Sequence, residues 1–80
     1  MNVEIITPDK KVFGGEALAV TLPGTEGQFQ ILNSHSPLVS TLGRGSVVVQ
    51  TNSTSNTYTI DGGVVEVLNN KVLVLAEAIL

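Results

Sequence analysis

Residues 64–76 read Val64-Val65-Glu66-Val67-Leu68-Asn69-Asn70-Lys71-Val72-Leu73-Val74-Leu75-Ala76. Two short runs rich in valine and leucine flank a pair of asparagines. Branched side chains pack well on a pleated, half-buried surface, so Val64–Leu68 and Lys71–Ala76 are expected as strands. Asparagine tolerates positive φ, and two such residues between alternating runs form a tight hairpin. The same pattern extends toward the N-terminus. Ala17–Leu22 and Ser46–Thr51 are further strand candidates, with shorter ones at Val3–Ile6, Val12–Phe13, Phe29–Leu32, Leu38–Leu42 and Thr57–Ile60.

Turn chemistry falls between these runs at close intervals. Thr7-Pro8-Asp9, Gly14-Gly15, Pro23-Gly24, Gly43-Arg44-Gly45, Asn52–Asn56, Gly62-Gly63 and Asn69-Asn70 each offer a preset or positive φ. Many short strands at regular spacing predict an all-β fold, an antiparallel sandwich or flattened barrel. Only Ala76–Leu80 has helical propensity, and so short a segment holds no helix unaided. The chain of 80 residues is expected to form one domain spanning 1–80.

Charged residues are 14% of the chain, against a usual share of about 25%. So little charge suggests that a partner covers part of the surface. The net charge is −3, and Lys10, Lys11, Arg44 and Lys71 are scattered. They form no stripe for phosphates or an anionic membrane, which argues against nucleic-acid binding and direct membrane attachment. With no cysteine there is no disulfide or thiolate metal site. No apolar run reaches the ~18 residues of a membrane helix, and Met1-Asn2-Val3-Glu4 does not open a signal peptide. The expectation is a soluble domain that stays in the compartment where it is made.

The chemical inventory is thin. His35, the only histidine, sits in Asn33-Ser34-His35-Ser36-Pro37. Ser34, His35 and Asp61 supply the residue types of a hydrolase without its spacing. A ring bonded to loop backbone is the better expectation. The carboxylates Glu4, Asp9, Glu16, Glu26, Asp61, Glu66 and Glu77 are spread singly, so neither zinc nor calcium has a ligand set. Gly24-Thr25-Glu26-Gly27 lacks the lysine of a phosphate-binding loop. No catalytic residue, cofactor or metal is expected. Residues 23–45 are still unusually rich in loop signals for a simple hairpin protein, and loops on a rigid scaffold collect interaction residues.

The motifs together resemble a known family, the ε subunit of the F-type ATP synthase, in its N-terminal β-sandwich domain. Ile5-Ile6-Thr7-Pro8-Asp9 with Val12-Phe13 and Gly15-Glu16 is similar to that family's opening. Leu22-Pro23-Gly24-Thr25-Glu26-Gly27 resembles its glycine-bounded loop, and Ile31-Leu32 with His35-Ser36-Pro37-Leu38 its isoleucine strand and following turn. Gly62–Val67 and Val72–Ala76 resemble its closing hairpin. The resemblance implies a sandwich of about ten strands. It also implies a non-catalytic place in the rotor, between the γ subunit and the membrane c-ring, in support of proton- or sodium-coupled ATP synthesis. The location implied is the cytoplasmic face of the bacterial inner membrane, held there through the complex.

By position, His35, Ser36, Pro37, Leu38 and Leu42 match the γ-facing side, and Glu26, Gly27 and Gln28 match the loop that reaches the c-ring. Two departures stand out. Gln28 replaces a usual acidic residue, and Asn33-Ser34 replaces a usual Pro-Gly. Family members commonly continue into two C-terminal helices that restrain hydrolysis and in some cases bind ATP. These 80 residues hold neither helix, so neither inhibition by insertion nor ATP binding is expected of them. The alternative is an unrelated β-sandwich adaptor or carbohydrate-binding domain. That reading leaves the ordered motifs unexplained, and Phe13, Phe29 and Tyr58 are few aromatics for sugar stacking.

Overall fold

A computed structural model describes residues 1–80. The strands are β1 (Asn2–Ile6), β2 (Lys11–Glu16), β3 (Ala19–Gly24), β4 (Gly27–Leu32), β5 (Leu38–Gln50), β6 (Ser55–Leu68) and β7 (Lys71–Ala76). They form one hydrogen-bonded sheet in the order β2-β1-β7-β6-β5-β3-β4. The all-β class holds. One neighbouring pair, β1 with β7, runs parallel, and the rest are antiparallel.

The expected strand count differs because two expected turns are bends inside continuous strands. Gly43-Arg44-Gly45 lies within β5, which has 13 residues, and Gly62-Gly63 lies within β6, which has 14. The two strands pair across both bends, with Leu42 opposite Gly63 and Arg44 opposite Asp61. Burial changes phase at the same place. In β5, Leu42 points inward on one side of the bend and Val47 and Val49 on the other. In β6, Ile60 and then Val65 and Val67 do the same. An even-numbered inward position gives way to odd ones, which a regular strand of period two cannot do.

The long β5–β6 hairpin therefore folds the single sheet into two layers. One layer holds β1, β2, β7, the first half of β5 and the second half of β6. The other holds β3, β4 and the remaining halves. Val3 of β1 and Val20 of β3 are both fully buried in one cluster of 16 residues. Those strands stand four places apart in the sheet, about 19 Å in a flat sheet at ~4.8 Å per strand. Sharing one core requires the fold-over.

Two glycines permit it. Gly62 and Gly63 have φ of 97° and 154°, a region L side chains rarely adopt. A Cβ on Gly63 would collide with the Leu75 carbonyl oxygen of β7 and lie 3.0 Å from the Ala76 Cα. Pro23 is accommodated by the matching irregularity in β3, whose register with β5 shifts between Thr21 and Gly24. A residue without an N–H is tolerated where the ladder is interrupted.

The remaining turns have local causes. Asn69 and Asn70 adopt φ of 50° and 58° and close β6 onto β7, with Leu68 opposite Lys71, as expected. Thr51 caps its loop by accepting at Oγ1 from the Thr54 amide at 3.0 Å. Gly14-Gly15 is no turn but part of edge strand β2. The turn expected at Pro23-Gly24 lies two residues later, at Thr25-Glu26. After β7 the chain bends at Glu77 and forms no helix. Ile79 bridges Ile60, and the Leu80 amide donates to the Thr59 carbonyl at 2.8 Å.

Candidate functional site

The residues singled out in the sequence fall at two places. Thr25 and Glu26 form the two-residue connection of the β3–β4 hairpin, with Gly24 opposite Gly27 and Pro23 opposite Gln28. Gly27 takes φ of 129°, and Glu26, Gly27 and Gln28 are all exposed. This hairpin end is tied back to the first layer. The Thr25 amide donates to the Thr41 carbonyl at 3.2 Å, and the two hydroxyls are 2.8 Å apart. Glu26 thus projects as a single exposed charge from a fixed backbone.

Residues 33–37 connect β4 to β5 and cross from one layer to the other. His35, Ser36 and Pro37 are exposed, and Leu38, which opens β5, is half-buried against the core. The Ser36 carbonyl accepts from His35 Nδ1 at 2.7 Å, so Nδ1 carries a hydrogen. The ring therefore bonds to loop backbone. Ser34 uses its amide elsewhere, and Asp61 stands opposite Arg44 on β6.

The crossing is anchored at its start. Asn33 Oδ1 accepts from the Met1 ammonium at 2.6 Å, and Asn70 Oδ1 accepts from the Ser34 amide at 2.8 Å. Ser34 has φ of 62°, unusual for a residue with a Cβ.

Leu42 does not join this surface. It is 4% exposed and belongs to the core, because it lies on the inward side of β5 at the bend. Sequence reasoning passed over Val39, which is 69% exposed. Its alternation with half-buried Leu38 was the available signal. Val64, Leu68 and Leu75 also face outward on the first layer. A run as continuously apolar as Val72–Ala76 signals apolar side chains on both faces of its sheet.

One ion pair lies on that face. Lys11 Nζ lies 3.0 Å from Glu4 Oε2 across the β1–β2 pair. The Lys11 hydrogen bond, then its charge, and to a lesser degree the Lys71 charge hold the Glu4 carboxyl below its usual range.

The family description "ATP synthase, Delta/Epsilon chain, beta-sandwich domain" matches residues 1–80, the whole chain. The chain belongs to this family. Among relatives, an ATP synthase epsilon chain of Sulfurimonas denitrificans is 44% identical over 78 residues, covering 96% of this chain and 60% of the relative. One of Salinibacter ruber is 35% identical over 88 residues, covering 99% and 59%. The chain thus spans about three fifths of the length of the relatives it matches. In solved structures the fold recurs in a chain of the Euglena gracilis mitochondrial ATP synthase, OSCP/F1/c-ring, with a TM-score of 0.90 at 22% identity. That match covers 98% of this chain and 51% of the other. A chain of the Tetrahymena thermophila mitochondrial ATP synthase central stalk and c-ring gives 0.83 at 21% identity, covering 99% and 64%. For the δ/ε family, the sandwich described above is the shared scaffold.

Proposed function

We propose that this chain is the coupling domain of an F-type ATP synthase rotor, a non-catalytic link between the γ subunit and the c-ring. Family membership and the epsilon-chain names of its relatives support this reading. One geometric observation carries it: the two surface groups occupy opposite ends of β4. Glu26 precedes Gly27 and Asn33 follows Leu32, and β4 between them spans about 17 Å at ~3.4 Å per residue. Both ends are tied into the folded sandwich, which makes the domain a rigid spacer with two contact surfaces. Such a body transmits torque between partners without chemistry of its own.

In this reading His35, Ser36, Pro37 and Leu38 meet γ, with Val39 extending the apolar part of the contact. Glu26, Gly27 and Gln28 meet the c-ring loops, where Gln28 contributes hydrogen bonding without charge. Leu42 supports the γ-facing strand from beneath. The domain is peripheral to the membrane through the complex, on the cytoplasmic face of a bacterial inner membrane, and serves proton- or sodium-driven synthesis. Cysteines at Glu26 and at His35, each joined to a cleavable cross-linker in assembled complex, test the two-ended arrangement. Position 26 should capture the c-ring and position 35 should capture γ. Capture of the same partner from both ends would overturn the reading.

A further inference from the structure

We propose that Asn33 and Asn70 form a polar latch that positions the His35–Leu38 loop for its partner. This rests on the γ-facing role given to that loop above. No backbone–backbone hydrogen bond outside the strands involves residues 33–37, so the sheet ladder does not fix the crossing. Two long-range bonds do, and each uses an asparagine side chain. Asn33 Oδ1 holds the Met1 ammonium at 2.6 Å, and Asn70 Oδ1 holds the Ser34 amide at 2.8 Å. These join positions 32 and 36 residues apart in sequence.

Both anchor points are fixed independently of the loop. The Met1 ammonium also donates to the Ala17 carbonyl at 3.1 Å, and the Met1 side chain is buried. Asn70 sits in a tight turn at φ of 58°, and its carbonyl accepts from the Asn2 amide at 3.1 Å. The loop is therefore clipped to preorganised groups. Ser34 needs the clip, because its φ of 62° is a conformation that a side chain disfavours. With Ser34 held, the chain direction into His35 is set. Released, Ser34 returns to a negative φ and the exposed His35-Ser36-Pro37 segment samples other orientations. Asn33 and Asn70 are thus positioning residues, acting through the loop rather than by contact.

The test separates the latch from the hairpin turn. Asn70→Gly keeps the positive φ and the carbonyl bond to Asn2 but removes Oδ1. Asn70→Asp keeps an acceptor at that place. Amide exchange at Ser34 is followed by NMR on the full chain, beside thermal unfolding and titration against the γ subunit. Asn70→Gly should leave the unfolding midpoint near that of the parent chain, speed Ser34 exchange at least tenfold and weaken γ binding about tenfold. Asn70→Asp should restore both. Unchanged Ser34 exchange in Asn70→Gly overturns the latch. Faster exchange with unchanged binding overturns its positioning role. A parent chain that does not bind γ overturns the functional reading instead, and the exchange measurement, which needs no partner, then decides the latch alone.

Discussion

Replacing Gly63 by alanine strikes the bend on which the two layers depend. Two costs add. A side chain at φ of 154° carries a strain of about 1–3 kcal/mol. The new methyl group would also overlap the Leu75 carbonyl oxygen and press on the Ala76 Cα at 3.0 Å. Both are backbone atoms of β7, the strand paired to Gly63 through Ala76, so no rotamer relieves the overlap. Overpacking of this kind costs about 1–3 kcal/mol more. The sum is about 2–6 kcal/mol, against a total stability of roughly 4–12 kcal/mol for a chain of this length. Gly62→Ala is the internal control. Its φ of 97° is strained too, but the added Cβ would meet nothing closer than the Leu42 carbonyl at 3.5 Å, an ordinary contact. Only the strain of about 1–3 kcal/mol applies. Urea unfolding followed by circular dichroism measures both variants. Gly63→Ala should be the less stable of the two, with the same denaturant slope as the parent chain. A Gly63→Ala variant within about 0.5 kcal/mol of the parent would refute the claim that the bend is sterically closed.

Further outcomes follow from the same structure. Leu42→Asp should abolish folding, since an unpaired charge in the core costs several kcal/mol, whereas half-buried Leu38→Asp should remain folded and lose γ binding; circular dichroism beside a pull-down distinguishes them. His35→Ala removes one exposed bond to the Ser36 carbonyl, so the unfolding free energy should change by no more than about 0.5 kcal/mol, and any hydrolytic turnover that disappeared with the ring would contradict the non-catalytic reading. The Glu4 carboxyl titrates lower in the folded chain than in the unfolded one, so its contribution is complete above the unfolded value of about 4.3 and is lost as pH falls through the folded value. Lys11→Gln should therefore flatten the stability profile in that acid window and leave its shape near neutrality unchanged. Calorimetric titration with Mg-ATP should give no binding heat, because the few basic side chains are scattered over the surface; micromolar binding would reveal a phosphate site in the sandwich.

Much of the fold could be read from the chain, and what could not has a physical reason. The Asn69-Asn70 hairpin was legible because two asparagines at positive φ permit few alternatives. The strand segments at Leu38–Leu42 and Ser46–Thr51, and at Thr57–Ile60 and Val64–Leu68, were also legible. Their joining into two bent strands was not, because glycine marks a turn and a bend equally well. The discriminating signal was present: the inward positions pass from Leu42 to Val47 and from Ile60 to Val65, a change of phase at each glycine pair. The parallel pairing of β1 with β7 left no local trace, since pairing partners distant in sequence are chosen by the closed core. At the site, the exposure of His35-Ser36-Pro37 followed from polar loop composition. Leu42 was misplaced because the bend, not its sequence neighbours, turns it inward. The bonds from Asn33 to Met1 and from Ser34 to Asn70 join segments that only the tertiary fold brings together.

The central claim is that this domain couples γ to the c-ring through opposite ends of β4. Reconstitution of the chain with the γ subunit and the c-ring of its own synthase, followed by mass measurement of the assembled species, tests it most directly. The account predicts a ternary complex in which Leu38→Asp removes γ alone and Glu26→Lys weakens the ring contact alone. Loss of both partners in either folded variant, or no complex with the intact chain, would contradict it.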